Sequence, residues 1–447
     1  MPTVHPTPDI LDRLLTGTVT DAESRWVVHH LVARCDVCSR YLRGALDAID
    51  PRDPAGRYDA AFAVAMDRSA SGLAAIRAEQ LEATTLWARI RDTPPARRLD
   101  LILSDPRYHT WAIAERFLEA AAEFHWLDTP SGLDACRVAL AIAERLPAAA
   151  YPAGLRQDLR ARALAGLADA LRLDQQLDAA RVTLGEAWEA LDDGTGDPLE
   201  RAALLRVEGA VELAAGDPAR AAALLRPAVA IYRRYGDRHQ EGRTLQKLAR
   251  AVGHEDPAQG VALADRALAL IEPGSEPLLE LAARHVLSWF LNDCGMPLEA
   301  FDLLERSRPL YRQCKETEPH LMVAWLEARI WRRLGRLDLA ERGLVAVWHD
   351  FHQAAFPQEL TLVSLDLAET YIARGKTRHA VRLLRIFHRT LGSWRMHAEG
   401  LAAWLLLVEA AAGEAARAQA LAREAALYFR HAWRRPVPFA AALAQGR

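Results

Sequence analysis

Residues 328–347 read ARIWRRLGRLDLAERGLVAV, and residues 368–387 read AETYIARGKTRHAVRLLRIF. Laid over one another at an offset of 40, they match at Ala328 and Ala368, Trp331 and Tyr371, Gly335 and Gly375, Ala340 and Ala380, and Leu344 and Leu384. Residues 288–307, SWFLNDCGMPLEAFDLLERS, continue the series backwards through Ser288, Gly295, Ala300, Leu304 and Ser307. Steps of four and three residues put the apolar positions on one helical face, and a glycine between two such faces stops the first helix. Each block therefore reads as a hairpin of two helices, with small residues where they cross.

Working outward, the pattern recurs at Gly216, Ala221, Leu225 and Ala228, and at Gly413, Ala418, Ala422 and Ala425. With a polar residue at the turn it recurs at Gln175, Ala180, Leu184, Ala187; at Glu255, Gly260, Ala264, Ala267; and at Ser131, Cys136, Leu140, Ala143. The turn positions are thus 131, 175, 216, 255, 295, 335, 375 and 413. Eight matches in phase argue for a true repeat even in an alanine-rich chain. GDP at 196–198 and 216–218, EDP at 255–257 and EPGSEP at 272–277 break helices where units turn. These offsets resemble the tetratricopeptide repeat over about residues 129–430, with a period near 40 rather than the family's 34, which implies longer helices or longer loops. HEAT-like and other helical repeats fit the same spacing. No stretch alternates as a strand would. The expected fold is all-α: a right-handed tetratricopeptide-like solenoid over 129–447, behind a helical cap at 59–128, a linker at 49–58 and a small finger-like domain at 1–48.

Composition agrees. The 447 residues are 51% hydrophobic, and 56 basic and 59 acidic residues are mixed along the chain, so no broad nucleic-acid footprint is expected. The longest apolar stretch, LAAWLLLV at 401–408, lies between Glu399 and Glu409 and is too short to span a membrane. No leader pattern opens the chain, and the five cysteines suit a reducing compartment, so the cytoplasm is the expected location.

The N-terminal fifty residues differ in kind. TDAE at 20–23 is a capping box, with Thr20 and Glu23 exchanging hydrogen bonds at a helix start. The helix leads to His30, Cys35 and Cys38, an imidazole and two thiols close together at a helix junction. That donor set suits tetrahedral zinc, with His5 the best fourth ligand. The string HPTPDILDRLLTGTVTDAESRWVVHHLVARCDVCSRYL resembles the zinc-binding finger of bacterial anti-sigma factors, in which a His or Cys precedes a short helix, a second helix carries a His and a CxxC opens a third. The resemblance implies a structural zinc on His5, His30, Cys35 and Cys38, and a sigma factor as partner. Four residues rather than the usual three separate His30 from Cys35, which leaves His29 as a substitute ligand. Two other readings are a redox-active CxxC and plain helical packing. A thioredoxin-type motif would follow a strand in a βαβ unit, and none is present.

Phosphate loops, zinc-protease helices and nucleophile elbows are absent from the sequence, and Cys136, Cys294 and Cys314 fall on hairpin helices, so no enzyme is expected. The first helices of such hairpins line a groove. That places Trp289, Asn292, Asp293, Trp325, Arg329, Arg332 and Glu369 toward a protein or peptide partner, although the tryptophans serve equally well as inter-repeat core. The sequence reads as an interaction scaffold or regulator. The alternative is an accessory subunit of an enzyme complex with a purely structural finger.

Overall fold

The computed structural model describes residues 6–15, 18–20, 23, 26–27, 41, 76–124, 128–272, 274, 276–314, 317–354, 356–394, 396–433 and 439. Among them there are helices and no strand. The chain divides into two compact units, Met1–Val211 with Pro227–Asp237, and Glu212–Arg226 with Arg238–Arg447.

In the first unit, α1 is Pro8–Leu15, α2 covers 76–90, α3 is Pro95–Ser104 and α4 is Trp111–Phe124. Then come α5 (Thr129–Ala143), α6 (Ala153–Leu173), α7 (Leu177–Asp192) and α8 (Pro198–Ala214). The capping box is present: Thr20 N–H donates to Glu23 at 2.9 Å and Glu23 N–H donates to Thr20 Oγ1 at 3.2 Å. Arg13 of α1 fixes Glu23 from outside, and Tyr41 donates to Asp12 at 3.0 Å. Residues 83–211 share one apolar core, in which Ile90, Ile113, Phe117, Cys136 and Leu164 are buried. The described part of the expected cap at 59–128, residues 76–124, and the first hairpins therefore bury their faces together. His5, His30, Cys35 and Cys38, and the expected linker at 49–58, lie outside the described residues.

The division falls after Val211 near the end of α8 and again within α9 (Pro218–Tyr235) at Pro227, which lacks the backbone donor a helix interior uses. The second unit then contains α10 (Arg238–Val252), α11 (Pro257–Leu270), α12 (Pro277–Asp293), α13 (Pro297–Tyr311), α14 (Thr317–Arg333), α15 (Leu337–Gln353), α16 (Pro357–Ala373), α17 (Thr377–Ser393), α18 (Ala398–Gly413) and α19 (Ala415–Ala432). From α14 to α17 every helix has 17 residues, separated by three-residue connections. The 40-residue period thus comes from long helices and not from long loops.

The turns fall where the repeat puts them. Gly216, Gly295, Gly335 and Gly375 have φ of +72° to +82°, and Gln175 has +60°. At Gly375, its own N–H reaches Ile372 O at 2.9 Å while Lys376 N–H reaches Tyr371 O at 2.8 Å, closing the helix end with the paired bonds of a left-handed cap. Beyond each turn the alanine of the motif is fully buried, at Ala180, Ala221, Ala300, Ala340 and Ala380. The crossings leave little room: a Cβ on Gly343 would come within 3.0 Å of the Ala328 Cβ. Leu225, Leu304, Leu344 and Leu384 complete the core seam.

Two expected turns are corrected. Ser131 lies inside the first turn of α5, where Asp128 caps its N–H at 3.3 Å. Gly413 is helical and the chain turns at the extended Glu414. The α19 helix also departs from its place as a further stacked repeat. Its alanines 418, 422 and 425 are buried as the motif requires, but it packs on α16 as well as on α18. Among the described residues no helix is long and apolar enough to cross a membrane.

Candidate functional site

In the second unit, residues 40 apart in sequence occupy the same place on successive first helices. Trp289, Arg329 and Glu369 form one such row across α12, α14 and α16. The long side chains of that row and its neighbours meet in a ladder of ion pairs. Arg329 binds Asp293 at 2.8 Å and approaches Asp366 at 3.7 Å. Arg332 binds Asp366 at 2.9 Å and Glu369 at 2.5 Å. Trp325 donates its indole N–H to the same Asp366 carboxylate at 2.7 Å. Arg333 caps the end of α12, donating to Asn292 O at 3.3 Å and Asp293 O at 3.1 Å.

The α19 helix crosses this row. Arg423 binds Glu369 at 2.9 Å, and Phe429 O accepts from Gln358 at 3.3 Å. At the far end, the Arg430 guanidinium lies over Trp289, 5.2 Å from its ring centre, and 5.9 Å from that of Trp325. Its polar contact is His254, which accepts from it at 3.3 Å, and it has no carboxylate within ion-pair distance among the described residues. Next to it, His431 lies 3.4 Å from Glu255. Between α19 and the first helices is a cleft of about 510 Å³ lined by Asp293, Arg329, Arg332, Asp366, Glu369 and Arg430 among others.

Four of the seven groove residues expected from sequence, Asp293, Arg329, Arg332 and Glu369, line this cleft. The other three do not. Trp289, Trp325 and Asn292 are 5%, 1% and 2% exposed and belong to the buried core, with the two indoles edge to face at 4.9 Å. Large rings on the face between first helices pack into the repeat core, and the charges that surround them remain at the surface. Asp366, Arg423, Arg430 and His254 complete the cleft and were not expected from sequence. Asp366 left one signal, as the only charge within LTLVSLDLA at 360–368. Arg430 left none, because its partners are up to 176 residues away.

The protonation states follow from this packing. Burial alone would raise the Asp366 carboxyl, but Arg329, Arg332 and the Trp325 indole outweigh it and hold it below the usual carboxylate range. Burial, and then Arg329, push Arg430 down to about 10, so it stays charged at neutral pH. Burial and Arg430 hold His254 well below its ordinary value, so the cation faces a neutral imidazole. Five arginines (329, 332, 333, 423 and 430) thus meet three carboxylates (293, 366 and 369) at the cleft. Such a site attracts anionic groups. It has no activated nucleophile, and burial pushes the Cys136 thiol in the first unit up to about 12. Among the described residues no group of three or more metal-ligating side chains converges.

No protein-family model matches the sequence, and no curated protein does. Solved structures do match. A Rap protein complexed with Competence and Sporulation Factor aligns at 15% identity and a TM-score of 0.55, covering 75% of this chain and 99% of that one. Aspartyl phosphate phosphatase F from Bacillus subtilis aligns at 12% identity and 0.45, covering 92% and 96%. A signal transduction ATPase with a tetratricopeptide repeat sensor, from Pyrococcus horikoshii, aligns at 14% and 0.41, covering 84% and 53%. At these identities the likeness speaks for the fold alone, and only the first alignment is close enough to do so. With the 40-residue hairpins, their left-handed glycine turns and their buried alanine crossings, the chain has a tetratricopeptide-like helical-repeat fold.

Proposed function

We propose that this chain is an interaction scaffold or regulator whose second unit holds a protein or peptide partner in the cleft between α19 and the first helices. The observation that carries the reading is Arg430, stacked on two tryptophans with a neutral imidazole as its polar neighbour, in a cleft where arginines outnumber carboxylates. Arginine and tryptophan are both enriched among the anchors of protein interfaces, and a partly buried cation with no carboxylate within ion-pair distance favours a partner that brings one. Complex formation by the Rap protein of similar fold lends support by analogy. Catalysis forms no part of this reading, and the cytoplasm suits its thiols.

The test is co-purification from the native host with the full chain and with an Arg423→Glu/Arg430→Gln variant, followed by mass spectrometry. A partner captured by the parent and lost from the folded variant supports the cleft. Equal capture by both rules the cleft out, and stoichiometric recovery of an enzyme favours the accessory-subunit alternative.

The N-terminal finger is proposed to hold one structural zinc through His5, His30, Cys35 and Cys38, two imidazoles and two thiolates being a donor set that zinc takes. Its proposed partner is a sigma factor or another regulatory protein. Metal analysis of the purified chain should find about one zinc per chain, lost in Cys35→Ser/Cys38→Ser; a metal-free parent removes the ligand assignment.

A further inference from the structure

The α17 helix, TRHAVRLLRIFHRTLGS, contains no acidic residue. Arg378, Arg382, Arg385 and Arg389 are all exposed on it. Spaced i, i+4, i+7 and i+11, they form one stripe about 16 Å long. None of the four makes an ion pair or a side-chain hydrogen bond among the described residues.

The repeat supplies an internal control. Forty residues earlier, on α15, the positions of 378 and 382 are Asp338 and Arg342, an i, i+4 ion pair at 3.6 Å. Forty earlier again, on α13, Asp302 and Glu305 stand where α17 has Arg382 and Arg385. The fold therefore makes no demand for arginine here. The stripe even works against the helix, because like charges one turn apart repel and Arg378 lies in the first turn, where the helix dipole disfavours a cation. Of the nearby acids, Glu341 is engaged, binding Arg374 at 2.6 Å and Lys376 at 2.7 Å, while Glu409 on the adjoining α18 is exposed and makes no ion pair among the described residues.

The surface beside the stripe is apolar. Val381, Ile386 and Ala412 line a shallow depression with the arginines, and Ile386 is 49% exposed. Ala412 is the one α18 residue in the depression; along the same helix Leu405 and Leu406 are 44% and 43% exposed, Glu409 is exposed as well, and there is no basic residue. The basic rail is thus one helix wide, with a greasy border and no aromatic ring in the depression on which a base would stack. That combination favours a protein over a nucleic acid.

We infer that the arginine stripe of α17, with its apolar border on α18, is a second docking surface, one that takes an acidic amphipathic helix of a partner protein. Carboxylates at the same i, i+4, i+7, i+11 spacing would meet the four arginines while apolar side chains cover Ile386 and Leu405. The surface is separate from the cleft lined by Arg430, and stands or falls independently of it.

The test is fluorescence anisotropy on the full chain. Three probes are used: a peptide of about 18 residues with glutamates at that spacing beside a leucine edge, a scrambled peptide of the same composition, and a thymidine oligonucleotide. The designed peptide should bind, more weakly as salt is raised, and Arg378→Glu/Arg385→Glu should weaken it by at least about tenfold. The same variant should melt at an equal or higher temperature, because it restores the ion pairing seen on α15, and this separates lost docking from lost folding. Equal binding of the scrambled peptide, unchanged binding by the folded variant, or tighter binding of the oligonucleotide through the same arginines would each overturn the inference.

Discussion

Replacing Asp366 by asparagine tests the ladder at its centre. The carboxylate, only 12% exposed, accepts from Arg332 at 2.9 Å and Trp325 at 2.7 Å and lies 3.7 Å from Arg329. Asparagine keeps an oxygen for the indole. It loses the charge, however, and turns an amide donor toward a guanidinium. Removing one member of a buried pair costs roughly 3–5 kcal/mol, and the retained Trp325 bond argues for the lower end, about 3 kcal/mol. For a unit of this size that corresponds to a fall in Tm of roughly 6–12 °C. Urea unfolding followed by tryptophan fluorescence reads the loss directly, with Trp325 in contact with the altered group.

The pH dependence gives a second check with a defined sign. The folded Asp366 carboxyl is held below its ordinary 3.8, so its stabilisation is complete above that value and disappears as pH falls through the folded one. The difference between parent and Asp366→Asn should therefore be constant near neutrality and close only in acid below about pH 4. A variant within about 1 kcal/mol of the parent at pH 7 would refute the argument that Asp366 is the pivot.

Three further outcomes follow from residues in strained or buried settings. Gln175 holds φ +60° where the equivalent turns have glycine, so Gln175→Gly should raise stability by up to about 1 kcal/mol, while Gly335→Ala should lower it by a similar amount in thermal melts. Asp158 is buried against Thr195, which donates its N–H at 3.0 Å and its hydroxyl at 2.5 Å, and burial lifts the carboxyl to about 6. A raised carboxyl favours the folded state below about pH 4 and loses that advantage as pH rises to about 6. Asp158→Asn should therefore melt higher than the parent at pH 8 and no higher at pH 4.

Much of this architecture is legible in the sequence because it rests on rules of spacing. Glycine marks a left-handed turn and alanine marks a close helix crossing, so Gly335, Ala340 and Leu344 announce their roles before any coordinates. The last helix shows where that legibility stops. The spacing of Ala418, Ala422 and Ala425 tells which face is buried but not what buries it, and α19 meets α16 as well as its hairpin partner. The cleft was half legible for the same reason. Residues at a fixed register, such as Arg329 and Glu369, were found by period, whereas Arg430 and His254 meet only through the return of the chain.

That return changes what kind of object the second unit is. In an open array each hairpin touches only its neighbours, stability accumulates locally, and a repeat can be added or removed at the end with small effect. Here Arg430 rejoins His254 across 176 residues and completes a ring of contacts. Closing so long a loop costs conformational entropy that only the finished structure recovers. Unfolding should consequently resemble the opening of a buckle more than the fraying of a ribbon, and repeat number becomes a fixed dimension: one hairpin more or fewer would leave the buckle short of its catch.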